Sequence, residues 1–252
     1  MQNIVLITGA TSGIGLSCAE KFAETGHSLI LTGRRKEKLI NISEKLTEEY
    51  GIKVLPLAFD IRIKKDVFQA IDNLPEEWKS IDILINNAGL AVGMNTVQDG
   101  DIDDWERMID TNIKGLLYIS RAVLPLMILQ KKGHVINIGS IAGKEVYPNG
   151  AVYCATKHAV DALSKGIRID TVNHGIKVTQ IAPGAVETEF SIVRFKGDKN
   201  KADSVYKGYE PLHPENIADV VYFVTTLPKN VNINDLVIMP TAQASATVFH
   251  KE

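Results

Sequence analysis

The chain is poor in cysteine, and its cysteines and histidines form no pattern typical of a metal site. The two cysteines, Cys18 and Cys154, lie on predicted helices and outside any Cys-x-x-Cys pair. The six histidines are scattered, with no His-Glu-x-x-His spacing. We therefore predict neither a disulfide framework nor a bound metal, and the free cysteines favour a reducing, cytoplasmic location.

The chain also lacks an excess of charge and any segment typical of a targeting signal. Its 28 basic and 30 acidic residues give a net charge of −2, so we expect no nucleic-acid partner. The first residues, MQNIVLITGAT, have no basic start before the apolar run, which argues against a signal peptide. No apolar run approaches the length of a membrane span, so we expect no membrane partner.

What is present is an alternation of strand-like and helix-like segments along the chain. Short apolar runs predict strands at residues 3–8, 28–32, 53–58, 82–85, 134–138, 177–181 and 235–239. Segments with apolar residues three and four apart separate them. With 252 residues and 45% hydrophobic content, the chain can bury one core. We predict an α/β fold: a single Rossmann-type domain over residues 1–252, whose doubly wound parallel sheet is flanked by helices on both faces.

A glycine-rich loop, GATSGIG at residues 9–15, follows the first predicted strand and precedes a helix. Glycines let a backbone approach a pyrophosphate, and the N–H groups at a helix start favour an anion. We therefore predict a dinucleotide phosphate site, although a plain tight turn would give the same local pattern. The candidate cofactor-binding residues here are Gly9, Thr11, Ser12, Gly13, Ile14 and Gly15.

The second predicted strand ends in arginines where an NAD-binding protein usually has an acid. The sequence there is Gly33-Arg34-Arg35, and no acid occurs before Glu37. Arginine suits the 2′-phosphate of NADP, whereas an acid accepts a hydrogen bond from the ribose 2′-hydroxyl of NAD. We predict NADP(H) as the cofactor, with Arg34 and Arg35 on the phosphate. The alternative is two surface arginines at a helix start.

Further candidates follow the other strand ends, where ligands bind in parallel sheets. Asp60, with Ile61 beside it, either accepts a hydrogen bond from the adenine amine or caps the next helix, and both stay open. The residues after the fourth and sixth predicted strands complete the set of cofactor candidates: Asn87, Ala88, Gly89, Pro183, Gly184, Val186 and Thr188. A polar, glycine-containing segment at about residues 187–212 is a predicted substrate lid.

The stretch from the fifth strand into the next helix carries a hydroxyl, a phenol and an ammonium. Ser140 follows the strand end, and Tyr153 and Lys157 are four apart on the predicted helix, so they share a face. A phenol has a pKa of about 10, which a nearby ammonium lowers, and the serine hydroxyl can steady charge on a substrate oxygen. These groups suit proton transfer to or from a C–O group. A Tyr-x-x-x-Lys pair alone arises readily by chance, so the surrounding motifs carry the prediction.

Together these motifs resemble the short-chain dehydrogenase/reductase family: TGATSGIG at residues 8–15, NNAG at 86–89, Asn112, Ser140, YCATK at 153–157 and PG at 183–184. The match spans nearly the whole chain. The resemblance implies that Tyr153 is the general acid/base, that Lys157 lowers its pKa and holds the nicotinamide ribose, and that Ser140 orients the substrate oxygen. It also implies that Asn112 supports a proton-relay water and that Thr188 binds the carboxamide.

More narrowly, MIDTNIKGLLYISRAVLP and TEFSIVRFKGD resemble the NADP-dependent 3-hydroxy acid dehydrogenases, which are tetramers. This resemblance implies a homotetramer and reversible oxidation of the 3-hydroxyl of small acids such as L-serine, L-allo-threonine, 3-hydroxypropionate and 3-hydroxyisobutyrate. A substrate carboxylate needs a cation, and loop position indicates Arg194 as the substrate-binding residue beside Ser140 and Tyr153. Lys144 is a second candidate.

Three other functions compete with this one. A reductase of 3-oxoacyl thioesters or other ketones could use the same scaffold. Sugar-nucleotide epimerases share Tyr-x-x-x-Lys but usually have a glycine where Ser12 stands. A non-catalytic NADPH sensor would typically have lost Ser140, Tyr153 or Lys157, and all three are present.

Overall fold

The computed structural model of the chain describes residues 3–252, and at its centre lies one sheet of seven parallel strands. The strands are β1 (Ile4–Thr8), β2 (Ser28–Gly33), β3 (Val54–Ala58), β4 (Ile81–Asn86), β5 (Gly133–Ile138), β6 (Ile176–Pro183) and β7 (Asp235–Ile238). They lie in the order β3-β2-β1-β4-β5-β6-β7. The predicted class, a Rossmann-type parallel sheet, is confirmed.

Helices cover both faces of this sheet. They are α1 (Gly13–Glu24), α2 (Lys36–Tyr50), α3 (Lys64–Asp72), α4 (Ile102–Ile109), α5 (Leu116–Gln130), α6 (Ala151–Thr171), α7 (Glu189–Arg194), α8 (Lys199–Ser204) and α9 (Pro214–Thr226). Apolar side chains of α1, α2 and α9 pack on one face, and those of α3, α5 and α6 pack on the other. Because both faces are covered, the central strands are apolar throughout, as in the fully buried IVLIT of β1.

Each face of the sheet has its own apolar cluster. On one face the fully buried ring of Phe22 meets the edge of the Tyr222 ring at a centroid distance of 5.6 Å. On the other, Leu6 and Ile119 are fully buried. Burying one such side chain stabilises the fold by about 1.5–3 kcal/mol. The two clusters together hold the strand ends in fixed positions.

The strand order places a crevice at the carboxyl ends of β1 and β4. These two strands are direct neighbours, with Ile7 opposite Ile85, so they end at about the same level. From β1 the chain proceeds outward through β2 and β3 on one side, and then from β4 to β7 on the other. The loops after β1 and β4 therefore diverge, and ligands bind in the crevice that this leaves.

The helical run Ile102–Gln130 is long enough for a membrane span and contains an 18-residue window with a sufficient mean hydropathy, 1.4. The expectation that no apolar run is long enough was therefore wrong. The run joins α4, a π-helical turn (Asp110–Gly115) and α5, and it buries five α5 residues, among them Ile119, Val123 and Met127. A helix packed on a sheet core needs the same apolar composition, so its length and hydropathy alone are weak evidence for a membrane.

The segment at residues 187–212 forms α7 and α8 and contacts both walls of the crevice. On one side, Glu189 of α7 pairs with Arg35 at 2.9 Å. On the other, Lys196 pairs with Asp104 of α4 at 2.7 Å. At the base of the segment the Tyr206 hydroxyl donates to the backbone oxygen of Val186 at 2.9 Å. The segment is thus tied to Arg35 and to Asp104, and its role as a substrate lid stays a prediction.

The C-terminal tail, residues 240–252, packs on its own chain beside this segment. Gln243 is buried and accepts a hydrogen bond from the backbone N–H of Ala185 at 2.8 Å. The Phe249 ring lies 5.1 Å from the Tyr209 ring, measured between centroids. The tail therefore forms part of the crevice wall within one protomer.

Candidate active site

A cleft of about 770 Å³ opens at the carboxyl end of the sheet, a volume typical of small-molecule sites. It brings together most of the residues predicted from the sequence. Those that line it are Gly9, Thr11, Ser12, Gly13, Ile14, Arg34, Arg35, Asp60, Ile61, Asn87, Ala88, Gly89, Ser140, Tyr153, Lys157, Pro183, Gly184, Val186, Thr188 and Arg194. Gly15 and Asn112 are predicted site residues that are not part of the wall.

The glycine loop has the backbone of an anion cradle. Gly9 and Gly13 have φ values of 68° and 52°, in the left-handed region that favours glycine. Ser12 precedes α1, and its side chain does not cap the helix, so the first N–H groups of α1 are left for another acceptor. Uncapped N–H groups at a helix start, reached over glycines, fit a phosphate.

Gly15 packs the helix against the loop and is not part of the cleft wall, and its assignment as a cofactor contact stays a prediction. A Cβ added there would lie 2.4 Å from the Gly9 carbonyl oxygen and 2.4 Å from the Asn87 side-chain nitrogen. Glycine is needed at this position because the two backbone segments approach too closely for any side chain.

The two arginines after β2 differ in what they contact. Arg35 donates to the Thr11 hydroxyl at 2.8 and 3.0 Å and to the Ser12 hydroxyl at 2.7 Å, and it pairs with Glu189. Arg34 lines the cleft, and within residues 3–252 it has no hydrogen bond or ion pair. The prediction gave both arginines to a phosphate. In the structure the Arg34 guanidinium is available for a phosphate, whereas the Arg35 guanidinium already donates hydrogen bonds to the glycine loop.

Asp60 lines the cleft but does not cap the following helix. Its carboxylate accepts from the Arg62 side chain at 2.6, 3.0 and 3.1 Å and from the Arg62 N–H at 3.0 Å. The residue that precedes α3 is Ile63, which makes no side-chain cap. The helix-cap alternative was therefore wrong, and the hydrogen bonds from Arg62 hold the pKa of the Asp60 carboxyl below its usual range.

Asparagines fix the loop that follows β4. Asn87 donates to the backbone oxygen of Thr8 at 2.9 Å and so ties this loop to the end of β1. Asn112 lies in the π-helical turn, where its amide exchanges hydrogen bonds of 2.8 and 2.9 Å with the backbone of Leu90 and donates to the Thr156 hydroxyl at 3.0 Å. The Asn112 side chain thus joins the cleft loop to α6 from behind the wall.

After β6, the chain turns under the lid segment. Gly184 has no room for a Cβ, which would lie 2.5 Å from the Gln243 side-chain oxygen. Thr188 precedes α7 and accepts from the N–H of Phe190 at 3.2 Å, and its methyl group packs over Gly13. Thr188 therefore stands between the glycine loop and the lid.

The three groups predicted to move a proton lie together. Ser140 follows β5, and its hydroxyl lies close enough to the Tyr153 phenol to lower the pKa of that phenol. Tyr153 and Lys157 are buried on the same face of α6. The Lys157 ammonium donates to the backbone oxygen of Ile138 at 2.9 Å and lies 6.0 Å from the centre of the Tyr153 ring.

The protein's own groups keep the phenol protonated. Burial and the neighbouring Tyr147 raise the pKa of Tyr153, whereas the Arg194 charge and the nearby Ser140 hydroxyl oppose this rise. Lys157, expected to lower the Tyr153 pKa, is not among these main causes, and burial lowers the pKa of Lys157 itself to about 8. The cation that lowers the Tyr153 pKa among these causes is the Arg194 guanidinium of α7.

Arg194 lies at the end of α7 over two tyrosine rings. Its guanidinium carbon is 5.4 Å from the ring centres of both Tyr147 and Tyr153, and one of its terminal nitrogens donates to the Tyr147 hydroxyl. Its Nε is buried and has no hydrogen-bond partner within residues 3–252. A buried donor without a partner is costly, so this arrangement suits an anionic ligand. Arg194 is therefore in the cleft, as predicted.

Lys144, the second candidate for a carboxylate, lies elsewhere. It pairs with Asp161 of α6 and Asp235 of β7, and it is not part of the cleft wall. Two acids already neutralise its charge, so the structure argues against this candidate.

The sequence analysis missed several wall residues near Tyr153. Phe190 of α7 meets the Tyr153 ring at a centroid distance of 5.7 Å, Tyr147 holds Arg194, and the tail contributes Gln243 and Phe249. A single aromatic or amide outside a motif gives no local signal. The one sequence signal for these wall residues was the presence of aromatic residues within the predicted lid segment.

Comparisons with known proteins agree with this geometry. Residues 3–199 match the family model described as short chain dehydrogenase. The chain is 46% identical over 250 residues to an NADP-dependent 3-hydroxy acid dehydrogenase of Schizosaccharomyces pombe, which covers 98% of this chain and 96% of that protein. It is 45% identical over 245 residues to sulfoacetaldehyde reductase 2 of Chromohalobacter salexigens, with 97% and 96% covered.

A solved structure described as the closed form of serine dehydrogenase complexed with NADP⁺ superposes with a TM-score of 0.92 at 46% identity, and the match covers 99% of this chain and 100% of that one. The likeness spans the full cleft, including the lid segment and the tail. The chain belongs to the short-chain dehydrogenase/reductase family.

Proposed function

We propose that the protein is an NADP-dependent oxidoreductase that moves a hydride between the nicotinamide and the 3-hydroxyl or 3-oxo carbon of small 3-hydroxy acids. L-Serine, L-allo-threonine and 3-hydroxypropionate are the representative substrates. The observation that carries this proposal is the Ser140–Tyr153 pair, which lies under the Arg194 guanidinium in a cleft that also has a phosphate cradle. The names of the similar proteins point to the same chemistry.

The residues present fit NADP. The uncapped start of α1 and the tight approach at Gly9 and Gly13 suit the pyrophosphate, and the free guanidinium of Arg34 suits the 2′-phosphate. Asn87, Thr188 and Lys157 line the part of the cleft between this cradle and Tyr153. When bound, NADP(H) supplies or accepts the hydride at C4 of its nicotinamide ring.

Tyr153 handles the proton in this proposal. In reduction the phenol donates its proton to the carbonyl oxygen as the carbonyl carbon gains the hydride, and in oxidation the phenolate takes the proton from the 3-hydroxyl. Ser140 orients that oxygen, because its hydroxyl and the phenol line the same cleft. The buried Lys157 ammonium stabilises the negative charge, and Asn112 anchors the loop at Leu90 against which a relay water would lie.

The lid segment, about residues 187–212, supplies the cation for the substrate carboxylate. Arg194 has a buried Nε without a partner in the described chain, and a planar carboxylate accepts from such a fork. The test compares oxidation of 3-hydroxypropionate with that of its uncharged amide, in wild type and in Arg194→Gln. We expect the variant to raise KM for the acid at least tenfold and to change KM for the amide little. An unchanged KM for the acid would refute the role of Arg194.

A second candidate substrate is a small aldehyde that carries a sulfonate. The similar sulfoacetaldehyde reductase favours it, and a guanidinium binds sulfonate as well as carboxylate. A reductase of 3-oxoacyl thioesters is the further alternative, and its substrates would not need Arg194. Comparing kcat/KM for a carboxylate, a sulfonate and a thioester of similar size separates the three.

We also propose a homotetramer in a cytoplasmic, reducing compartment. Exposed apolar residues on α5 and α9, such as Leu117, Leu129 and Phe223, give surfaces that copies of the chain could bury. The free thiols of Cys18 and Cys154 suit such a compartment. Mass measurement in solution by light scattering tests the assembly, and a monomer at micromolar concentration would contradict it.

A further inference from the structure

The Arg194 guanidinium faces the acid–base residue directly, which a residue used only to bind a carboxylate need not do. Its carbon lies 5.4 Å from the centre of the Tyr153 ring. Lys157 lies farther from that ring, at 6.0 Å, and its ammonium donates to the Ile138 carbonyl. The Arg194 guanidinium carbon is thus at least as close to the centre of the Tyr153 ring as the Lys157 ammonium, which is on the same helix as Tyr153.

Tyr147 fixes this position. Its hydroxyl accepts a hydrogen bond from Arg194, and its ring lies under the same guanidinium at 5.4 Å. Gly150 allows the ring to sit there, because a Cβ at Gly150 would lie 2.0 Å from the Tyr147 ring. The Arg194 backbone oxygen also accepts from the Gly93 N–H at 3.0 Å, which holds the end of α7 to the loop after β4.

We propose that Arg194, positioned by Tyr147, is part of the acid–base machinery: its guanidinium stabilises the Tyr153 phenolate, and an anionic substrate that pairs with Arg194 withdraws this stabilisation. The proposal rests on the proposed function in taking Tyr153 as the acid/base. It goes further by assigning Arg194 an effect on the protonation of Tyr153 that is present even when the substrate is uncharged.

The charged and titratable groups around the Tyr153 ring come from several elements besides α7. The loop after β5 presents Ser140 and Tyr147, and α6 presents Cys154 and Lys157. From α4, Asp104 lines the small cavity beside Tyr153 but is paired with Lys196. Of the two cations near the ring, Lys157 is buried on α6 and donates to the Ile138 carbonyl, whereas Arg194 is at the end of α7.

The charge of the substrate should therefore change the pH dependence of its oxidation. A cation within about 4–6 Å favours the charged form of an acid, and an anion that neutralises this cation removes the effect. With an uncharged substrate, Arg194 favours the phenolate, which is the base for oxidation. With a carboxylate substrate paired to Arg194, the phenol keeps its proton and is ready to donate it to a carbonyl. Oxidation of an anionic substrate therefore requires a higher pH than oxidation of its uncharged amide.

The test is the pH dependence of oxidation with saturating NADP⁺. Wild type, Arg194→Gln, Arg194→Lys and Tyr147→Phe are compared on 3-hydroxypropionamide, which has no charge to bind. We expect the acidic limb of kcat/KM to move up by about one pH unit in Arg194→Gln, to move less in Tyr147→Phe, and to be largely restored in Arg194→Lys. NADP⁺ affinity and the unfolding midpoint serve as folding controls.

In wild type, the acidic limb of the kcat profile for 3-hydroxypropionate should lie at higher pH than that for the amide. This difference in pH should vanish in Arg194→Gln. A limb for the amide that is the same in wild type and Arg194→Gln overturns the proposal, even if KM for the acid rises and the proposed function holds. A second measurement needs no turnover: the tyrosinate absorbance lost on Tyr153→Phe is titrated with and without Arg194→Gln. A higher midpoint in the Arg194→Gln background supports the proposal, and an equal midpoint contradicts it, whatever the substrate is.

Discussion

The unequal surroundings of the two arginines after β2 predict which of them selects NADP. Arg34 faces the cleft, and in the described chain it has no hydrogen bond or ion pair, whereas the fork of Arg35 is engaged by Thr11, Ser12 and Glu189. A hydrogen bond to a charged group contributes about 1.5–3 kcal/mol. Arg34→Ala should therefore raise the Kd for NADP⁺ about 10- to 150-fold. It should change the Kd for NAD⁺ little, because NAD⁺ has no 2′-phosphate.

Arg35→Ala is the matched comparison. It removes hydrogen bonds to the glycine loop and the pair with Glu189 of the lid, so we expect weaker binding of both cofactors by similar factors. The assay is titration of each purified variant with NADP⁺ and NAD⁺ by calorimetry at one fixed ionic strength, since salt screens these contacts. Equal losses for both cofactors in Arg34→Ala, or a loss confined to NADP⁺ in Arg35→Ala, would refute the division of roles.

Two further predictions concern stability. Gly15→Ala should lower the free energy of unfolding by roughly 1–3 kcal/mol, because its Cβ would lie 2.4 Å from the Gly9 carbonyl oxygen. Gly166→Ala on α6 should not destabilise the protein, because a Cβ there has no neighbouring atom within 4 Å. Urea unfolding compares the two variants, and equal effects would contradict the packing argument. Burial lowers the pKa of His134 from 6.5 to about 4. The unfolded chain therefore binds a proton at this histidine before the folded protein does. The free energy of unfolding is unaffected above pH 6.5 and falls by about 3 kcal/mol as the pH falls toward 4. His134→Gln should flatten the fall in stability over this interval, and an unchanged slope would show that other groups cause it.

The sequence predicted the parts of the molecule whose signals are local. The alternation of apolar runs and amphipathic segments predicted the parallel sheet, and the ends of those runs located the cleft residues from Gly9 to Thr188, because parallel strands end at one edge. The family resemblance was confirmed by the match over residues 3–199. The predicted NADP dependence agrees with the names of the similar proteins.

The remaining features depend on contacts between distant residues. Arg34 and Arg35 are adjacent and chemically identical, and the contacts that distinguish them come from Thr11, Ser12 and Glu189, the last 154 positions away from Arg35. Tyr147 and Arg194 are 47 positions apart, so their contact across the cleft left no periodic trace. Gly15 had the same local motif as Gly9 and Gly13, but its neighbour Asn87 belongs to another loop. Lys144 looked free in the sequence because its partner Asp235 comes from the last strand.

The central claim is that Tyr153 transfers the proton in the cleft that binds NADP. Tyr153→Phe removes one hydroxyl and keeps the ring that packs on Phe190, so the fold and the cofactor site should stay intact. The most direct measurement is kcat for 3-hydroxypropionate oxidation together with the Kd for NADP⁺ in this variant. The account predicts that kcat falls by at least about a hundredfold, as expected for loss of a general acid/base, while the Kd stays within about twofold. A kcat close to that of wild type, with NADP⁺ still bound, would contradict it.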